Sequence, residues 1–272
     1  MIHTPSPQLF ERTIRILVVG CGGNGSAIVS GLPYLHQALL AFGHPGGLAA
    51  TLIDPDTVSE TNCARQPFCR AEVGLPKATI LAHRINLFWG LNWQGTQTKI
   101  AQLKAGADVD FVIGCVDTRR ARREIEKWVL NSRVLYWLDL GNNESSGQFV
   151  LGQPKNAANR KNKHRLRTVT ELYKEIAEPN LDDDNQPSCS AAEALTRQEP
   201  FVNQNIAYQA LAMLAQLLRH GSLSYQGGFC NPATGQVVPI PVKAVYCARS
   251  PHNRSAGARD RSCCRLKHSA AE

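Results

Sequence analysis

An apolar segment, Ile14–Val19, runs directly into Gly20-Cys21-Gly22-Gly23-Asn24-Gly25, and this junction constrains the chain more than any other feature. A buried strand that ends in a glycine cluster and reopens as a helix leaves backbone N–H groups and the positive end of a helix dipole facing one point. A phosphate is the natural ligand there. The downstream sequence is rhythmic. Apolar runs of strand length at 51–53, 96–101, 110–116 and 134–140 alternate with helical patterns at 24–42, 77–89 and 118–130. That alternation predicts an α/β fold: a Rossmann-like, doubly wound, mostly parallel sheet with helices on both faces. Residues 148–152 should pair beside the strand at 134–140.

The second half reads as a small helix and hairpin region. Helical patterns occupy 169–177, 190–197 and 201–220, the last closed by Gly221 as a C-cap. Strands at 225–230 and 236–240 flank a turn of Asn231, Pro232 and Gly235. A basic loop at 155–167 and an acidic one at 182–184 read as mobile crossings around a site. Residues 36–50 insert glycine-rich sequence between the first helix and the second strand. The expected organisation is one domain over 1–242, with its core at 12–152 and the helical and hairpin part at 153–242, followed by a basic, disordered tail at 243–272.

Composition narrows the function. Apolar residues make up 43% and charged residues 19% of the chain, as in soluble globular proteins. No apolar run approaches the roughly 18 residues of a membrane-spanning helix, and residues 1–10 carry no secretion signal. A cytoplasmic location without membrane contact is expected. Nine cysteines, an odd and scattered set, suggest free thiols, and neither Cys63 with Cys69 nor Cys263 with Cys264 has zinc-ligand spacing. The net charge is +8, but seven Lys or Arg against Asp260 and Glu272 place +5 of it in 243–272 and leave +3 elsewhere. Weak polyanion binding is therefore an expectation for the tail alone.

Chemistry gathers at predicted strand ends. Asp54 and Asp56 follow the second strand, where a carboxylate can accept hydrogen bonds from ribose hydroxyls. Asn62, Arg65 and Gln66, and then Gly74, Pro76 and Lys77, bring amides, a guanidinium and an ammonium to the segment entering the next helix. Several cations suit a triphosphate better than a pyrophosphate bridge. Asp117, ending the fourth strand, can hold Mg²⁺ against phosphates, or it can simply cap the helix that begins near Thr118. Arg65 and Lys77, taken singly, could be solvated surface charges.

The ordered set Gly-X-Gly-Gly-X-Gly (Gly20, Gly22, Gly23, Gly25), Asp-X-Asp-X-Val from Asp54, Asn-X-X-Arg-Gln from Asn62, Gly-X-Pro-Lys ending at Lys77, and Val116-Asp117 resembles the ThiF/MoeB family, relatives of ubiquitin-activating enzymes. Leu181-Asp-Asp-Asp, Pro187-Ser-Cys-Ser and Tyr225-Gln-Gly-Gly-Phe resemble the ThiF-like branch of the plasmid-borne PRTRC cassette. The resemblance implies that Asp54 binds ribose, that Asn62, Arg65 and Lys77 contact phosphates, and that Asp117 governs magnesium. It implies ATP and Mg²⁺ as cofactors and a homodimer. The implied reaction joins AMP to the C-terminal carboxylate of a small β-grasp, ubiquitin-like carrier protein ending in Gly-Gly. Two family features are altered here: the paired zinc cysteines are missing, and the arginine that relatives send into the neighbouring subunit has only Arg12 and Arg15 as candidates.

Two other readings stand beside this one. A nicotinamide-dependent oxidoreductase shares the glycine turn and Asp54 but leaves Asn62, Arg65, Lys77 and Asp117 unexplained. A nucleotide-binding scaffold of a plasmid cassette keeps the ATP site without a protein substrate. Cys189 is the candidate for covalent chemistry, because Ser190 and Glu193 form a capping box and a thiol at a helix start has a lowered pKa. It would receive the acyl group as a thioester or persulfide-linked intermediate. The acids at 182–184 argue against a thiolate there.

Overall fold

The computed structural model of the protein describes residues 1–104, 108–178, 180 and 199–242. β1 (Ile14–Val19) buries alternate side chains in two directions, Ile16 and Val18 into one core cluster and Leu17 and Val19 into the other. A strand that is apolar on both faces belongs in the middle of a covered parallel sheet. β1 lies parallel to β2 (Leu48–Ile53) on one side and to β4 (Phe111–Gly114) on the other. β3 (Gln94–Thr96) and β5 (Tyr136–Asn142) extend the parallel part outward. Beyond β5 the sheet becomes antiparallel through β6 (Gly147–Gly152), β7 (Tyr225–Asn231) and β8 (Gln236–Pro241), giving the order β3-β2-β1-β4-β5-β6-β7-β8.

Helices cover both faces. α1 (Gly23–Ala41), α3 (Lys77–Trp89) and α6 (Val202–His220) pack on the Ile16 face. α4 (Arg119–Leu130) and α5 (Val169–Leu172) pack on the Leu17 face, where Ile125, Trp128 and Val129 meet Val112 and Trp137. The doubly wound α/β reading of the sequence is therefore observed. Strand order changes direction between β1 and β4, which opens a crevice outside the carboxyl ends of the parallel strands.

Several local expectations are corrected. The third strand is Gln94–Thr96, and the segment expected to continue it turns into a 3-10 helix at Ile100–Gln102. Ile100 is buried from that turn, so its apolar side chain satisfied the strand pattern without strand pairing. A short helix, α2 (Glu60–Arg65), replaces the expected loop; Ser59 and Asn62 close a capping box at its start. The helix expected over 169–177 breaks at Tyr173 into α5 and a 3-10 turn, Lys174–Ala177.

The loop at 155–167 does not border the crevice. Asn156 Nδ2 donates to the Val129 and Val134 carbonyls at 3.0 and 2.9 Å, and Asn159 Nδ2 donates to those of Val134 and Leu135 at 3.1 and 3.0 Å. Both side chains are buried where β5 begins, at the opposite edge of the sheet. The glycine-rich insertion is likewise pinned. His44 Nδ1 accepts from Gly46 and Gly47 N–H at 3.3 and 3.0 Å, so its Nε2 carries the proton and donates to Leu9 O at 2.7 Å. The acidic stretch 182–184, the helix expected at 190–197, Cys189 and the tail 243–272 lie outside the described residues.

Candidate functional site

The glycine turn is built by close approach. Gly20 holds φ at +93°, and a Cβ on Gly25 would stand 1.9 Å from Gly20 O, so no side chain fits at the point where the turn folds onto α1. Gly22 is the N-cap of α1, and no side chain among the described residues caps that helix. The first N–H groups of α1 therefore lack internal acceptors and face the crevice. This crevice encloses about 1100 Å³ and is lined by Gly20, Gly22, Gly23, Asp54, Asp56, Asn62, Arg65, Gln66, Lys77 and Asp117 among others. Of the described members of the expected set, Gly25 alone packs behind it.

Asp54 joins β2 to the glycine turn. Its Oδ2 accepts the Cys21 N–H at 2.5 Å and its Oδ1 accepts the Asp56 N–H at 2.8 Å. Burial pushes its carboxyl above the ordinary carboxylate range, and the two N–H bonds and the Lys77 charge draw it back. Each oxygen keeps a further lone pair for a hydroxyl donor.

Lys77 is only 6% exposed, which removes the reading of a solvated surface charge. Pairing of the Asp56–Val58 and Gly74–Lys77 segments brings it there, with Val58 N bonded to Leu75 O, Gly74 N to Val58 O and Lys77 N to Asp56 O. Its ammonium meets the exposed Asp56 carboxylate at 3.3 Å. Two of its three donor positions remain for a ligand. Arg65, at the end of α2, is exposed and makes no hydrogen bond or ion pair among the described residues.

Asn62 is buried, and its Oδ1 accepts the Ser59 N–H at 3.0 Å, which leaves Nδ2 for another acceptor. Gln66 Oε1 is buried without a partner among the described residues, and Gln66 Nε2 lies 3.8 Å from where a Gly22 Cβ would stand. Asp117 is exposed and makes no hydrogen bond among the described residues. The helix-capping alternative for Asp117 is thereby answered: Thr118 Oγ1 accepts the Ala121 N–H at 3.2 Å and is the N-cap of α4.

Sequence reasoning missed the far wall. Arg122 is buried and donates from Nε to both Asp139 oxygens at 2.9 and 3.1 Å, and from its other nitrogens to Val116 O and Ile176 O at 3.0 and 3.3 Å. It thus holds the strand end that presents Asp117. Burial pushes the Asp139 carboxyl up and the Arg122 charge opposes that rise. Lys99, Arg119 and Arg120 also line the crevice. One sequence signal pointed to this wall: four arginines in the first five residues of α4, with no acid in the first turn. Cations are unfavourable at a helix N-terminus unless an anion joins them.

Cys21 and Cys115 are poor nucleophiles, because burial raises both thiols well above their ordinary range. Arg12 and Arg15 face away from the crevice. Arg12 makes a bidentate pair with Asp110 at 2.8 and 2.7 Å, and Arg15 pairs with Asp108, both at the edge where β1 and β4 begin. In this chain neither is free to enter a neighbouring site without breaking that pair.

An open sheet with this strand order, a glycine turn at its switch point and an acid ending the adjacent strand define a Rossmann-like nucleotide-binding class. The ThiF family model matches residues 8–237, and the chain belongs to that family. The adenylyltransferase and sulfurtransferase UBA4 of Yarrowia lipolytica is 44% identical over 73 residues, which are 27% of this chain and 16% of that protein. The crystal structure of E. coli MccB with ATP superposes with a TM-score of 0.54 at 15% identity, covering 86% of this chain and 66% of that one. The structure of PaaA superposes with a TM-score of 0.53 at 13% identity, covering 84% of this chain and 64% of that one. These superpositions establish the shared fold. Among the described residues no helix is long and apolar enough to cross a membrane.

Proposed function

We propose that the crevice binds ATP and transfers its adenylyl group to the C-terminal carboxylate of a small protein. The observation that carries this reading is the buried Lys77 ammonium beside the glycine turn and Asp54. An ammonium withdrawn from water, with the exposed Asp56 as its one ion-pair partner among the described residues and Asp54 already taken up by two N–H bonds, is poised for further negative charge. The family membership and the adenylyltransferase activity in the name of the Yarrowia relative support the same reaction.

The residues divide the work. Asp54 accepts the ribose hydroxyls, and Gln66 offers its unpartnered oxygen to the same nucleoside. The N–H groups of the α1 start, Asn62 Nδ2, Arg65 and Lys77 hold the phosphates. A carboxylate oxygen of the acceptor bonds to the α-phosphorus while the α–β bridging P–O bond breaks and its electron pair leaves on pyrophosphate. No proton changes hands. Lys77 and Arg65 offset the charge that builds on the leaving group. Among the described residues no three His, Cys, Asp or Glu side chains cluster around a metal site. Mg²⁺ would thus be held by Asp117 with phosphate and water oxygens, and it would neutralise phosphate charge there.

The acceptor is a β-grasp carrier ending in Gly-Gly, and the enzyme works as a homodimer. Exchange of labelled pyrophosphate into ATP, assayed with Gly-Gly-terminated proteins from the same genetic neighbourhood, tests the reaction. Exchange that depends on one such protein is expected. ATP binding without exchange would identify a nucleotide-binding scaffold, and NAD binding in place of ATP would identify an oxidoreductase.

A further inference from the structure

Beyond the nucleotide residues, the crevice extends past β4 to the ends of β5 and β6, where its lining changes from charged groups to amides. Asn24, Asn142, Asn143, Gln148 and Asn203 line this arm. Asn24 belongs to the first turn of α1 and is 8% exposed. Its Nδ2 donates to Asn142 Oδ1 at 2.9 Å, and Asn142 Nδ2 donates in turn to Asn143 O at 3.0 Å. That chain fixes the amide orientations: Asn142 must present oxygen to Asn24, so Asn24 must present nitrogen to Asn142. Among the described residues Asn24 Oδ1 is left buried with no partner.

A buried acceptor without a donor is costly, and it stands beside the uncapped N–H groups of the same helix turn. With those N–H groups given to phosphate, a ligand that meets the rest must carry an N–H donor for Asn24 and, close by, an oxygen that reaches the phosphate held there. A phosphate has no such donor. Ribose has donors, but Asp54 ends β2 while Asn142 ends β5, with β1 and β4 between them, roughly 14 Å across at ordinary strand spacing. The last residue of a peptide has both groups, a carboxylate and an amide N–H one carbon away.

We infer that Asn24, held by Asn142, accepts the backbone N–H of the terminal residue of the incoming peptide and so positions its carboxylate beside the α1 start. This inference rests on the adenylation reading and adds a substrate requirement to it. The terminal residue must be joined by a secondary amide.

The test uses stable acyl-adenylate mimics, so it needs no identified carrier. Sulfamoyl adenosine is measured alone, then with acetyl-Gly-Gly attached, then with the terminal glycine replaced by glycolate, which substitutes ester oxygen for N–H. Calorimetric titration of the full-length protein should show the Gly-Gly mimic binding tighter than the glycolate mimic by roughly 5- to 150-fold, the range for an unmade buried hydrogen bond. Asn24→Leu, close in volume, should abolish that preference while binding sulfamoyl adenosine as the unaltered protein does. Asn142→Ala should shrink the preference, because it leaves Asn24 in place but lets its amide turn. Equal binding of the two mimics, or no gain from either acyl group over sulfamoyl adenosine, would overturn the inference. Failure to bind sulfamoyl adenosine at all would overturn the adenylation reading beneath it.

Discussion

Replacing Lys77 by Met separates a binding ammonium from a structural one. Lys77 is 6% exposed and its one ion-pair partner, Asp56, is exposed and 3.3 Å away. Removing the ammonium relieves a desolvation cost that Asp56 offsets only in part. Replacing both members of a buried ion pair by apolar side chains is commonly neutral or stabilising, whereas removing one member destabilises where the other charge stays buried; here Asp56 is exposed, but the Lys77 charge also supports the buried Asp54 carboxylate. Asp56 can regain full hydration while Asp54 loses a supporting charge, so the two effects oppose, and a net change within about 1 kcal/mol keeps Tm within roughly 2–4 °C of the unaltered protein in a chain of this size. ATP affinity should change far more. A charge-assisted hydrogen bond contributes about 1.5–3 kcal/mol, so Kd should rise roughly 10- to 150-fold. Thermal unfolding without nucleotide and calorimetric titration with ATP measure the two effects. Lower stability with unchanged ATP affinity would refute this reasoning and make Lys77 a structural ion-pair residue.

Asp117→Ala should raise the Mg²⁺ concentration needed for pyrophosphate exchange without lowering Tm, whereas Thr118→Ala should cost about 1 kcal/mol of stability as a lost helix cap; a comparable fall in Tm with Asp117→Ala would restore Asp117 to the cap. Burial draws His3 down to about 4 from its ordinary 6.5, with Nε2 2.7 Å from the Tyr136 hydroxyl. Because the folded state holds His3 neutral, its contribution is complete above pH 6.5 and is lost as pH falls toward 4, by at most about 3 kcal/mol. His3→Leu should flatten the stability profile in that window, and an unchanged slope between pH 6.5 and 4 would contradict it. Cys189→Ala should keep pyrophosphate exchange while losing a thiol-sensitive adduct with the carrier, and an adduct that persists would place the acceptor on another cysteine. Removing 243–272 should leave ATP affinity intact and abolish retention on heparin at low salt; equal retention of the shortened chain would show that the tail is not the polyanion site.

Much of the fold was legible because its signals are local. The apolar run of β1, the glycine turn, the acid closing β2, the helical rhythm of α3 and the glycine ending α6 are each complete within a few neighbouring residues. Short elements were harder. α2 and the 3-10 turn at Ile100 are too brief for periodicity to register, although Ser59 and Asn62 carried a capping signal three residues apart.

The sequence by itself determined the fold class, the family and the set of polar residues brought to the strand ends, because alternation and motif order survive without knowledge of any long-range contact. Tertiary structure alone decided what each of those residues can do. Lys77 differs from a surface lysine because segments Asp56–Val58 and Gly74–Lys77 pair and remove it from water. Asp110, 98 positions from Arg12, holds that arginine at the wrong edge of the sheet. The unpartnered oxygen of Asn24 exists only because Asn142, 118 positions away, claims its nitrogen. Burial and hydrogen-bond orientation are properties of pairs that meet in space, and no pattern of neighbours along the chain encodes them.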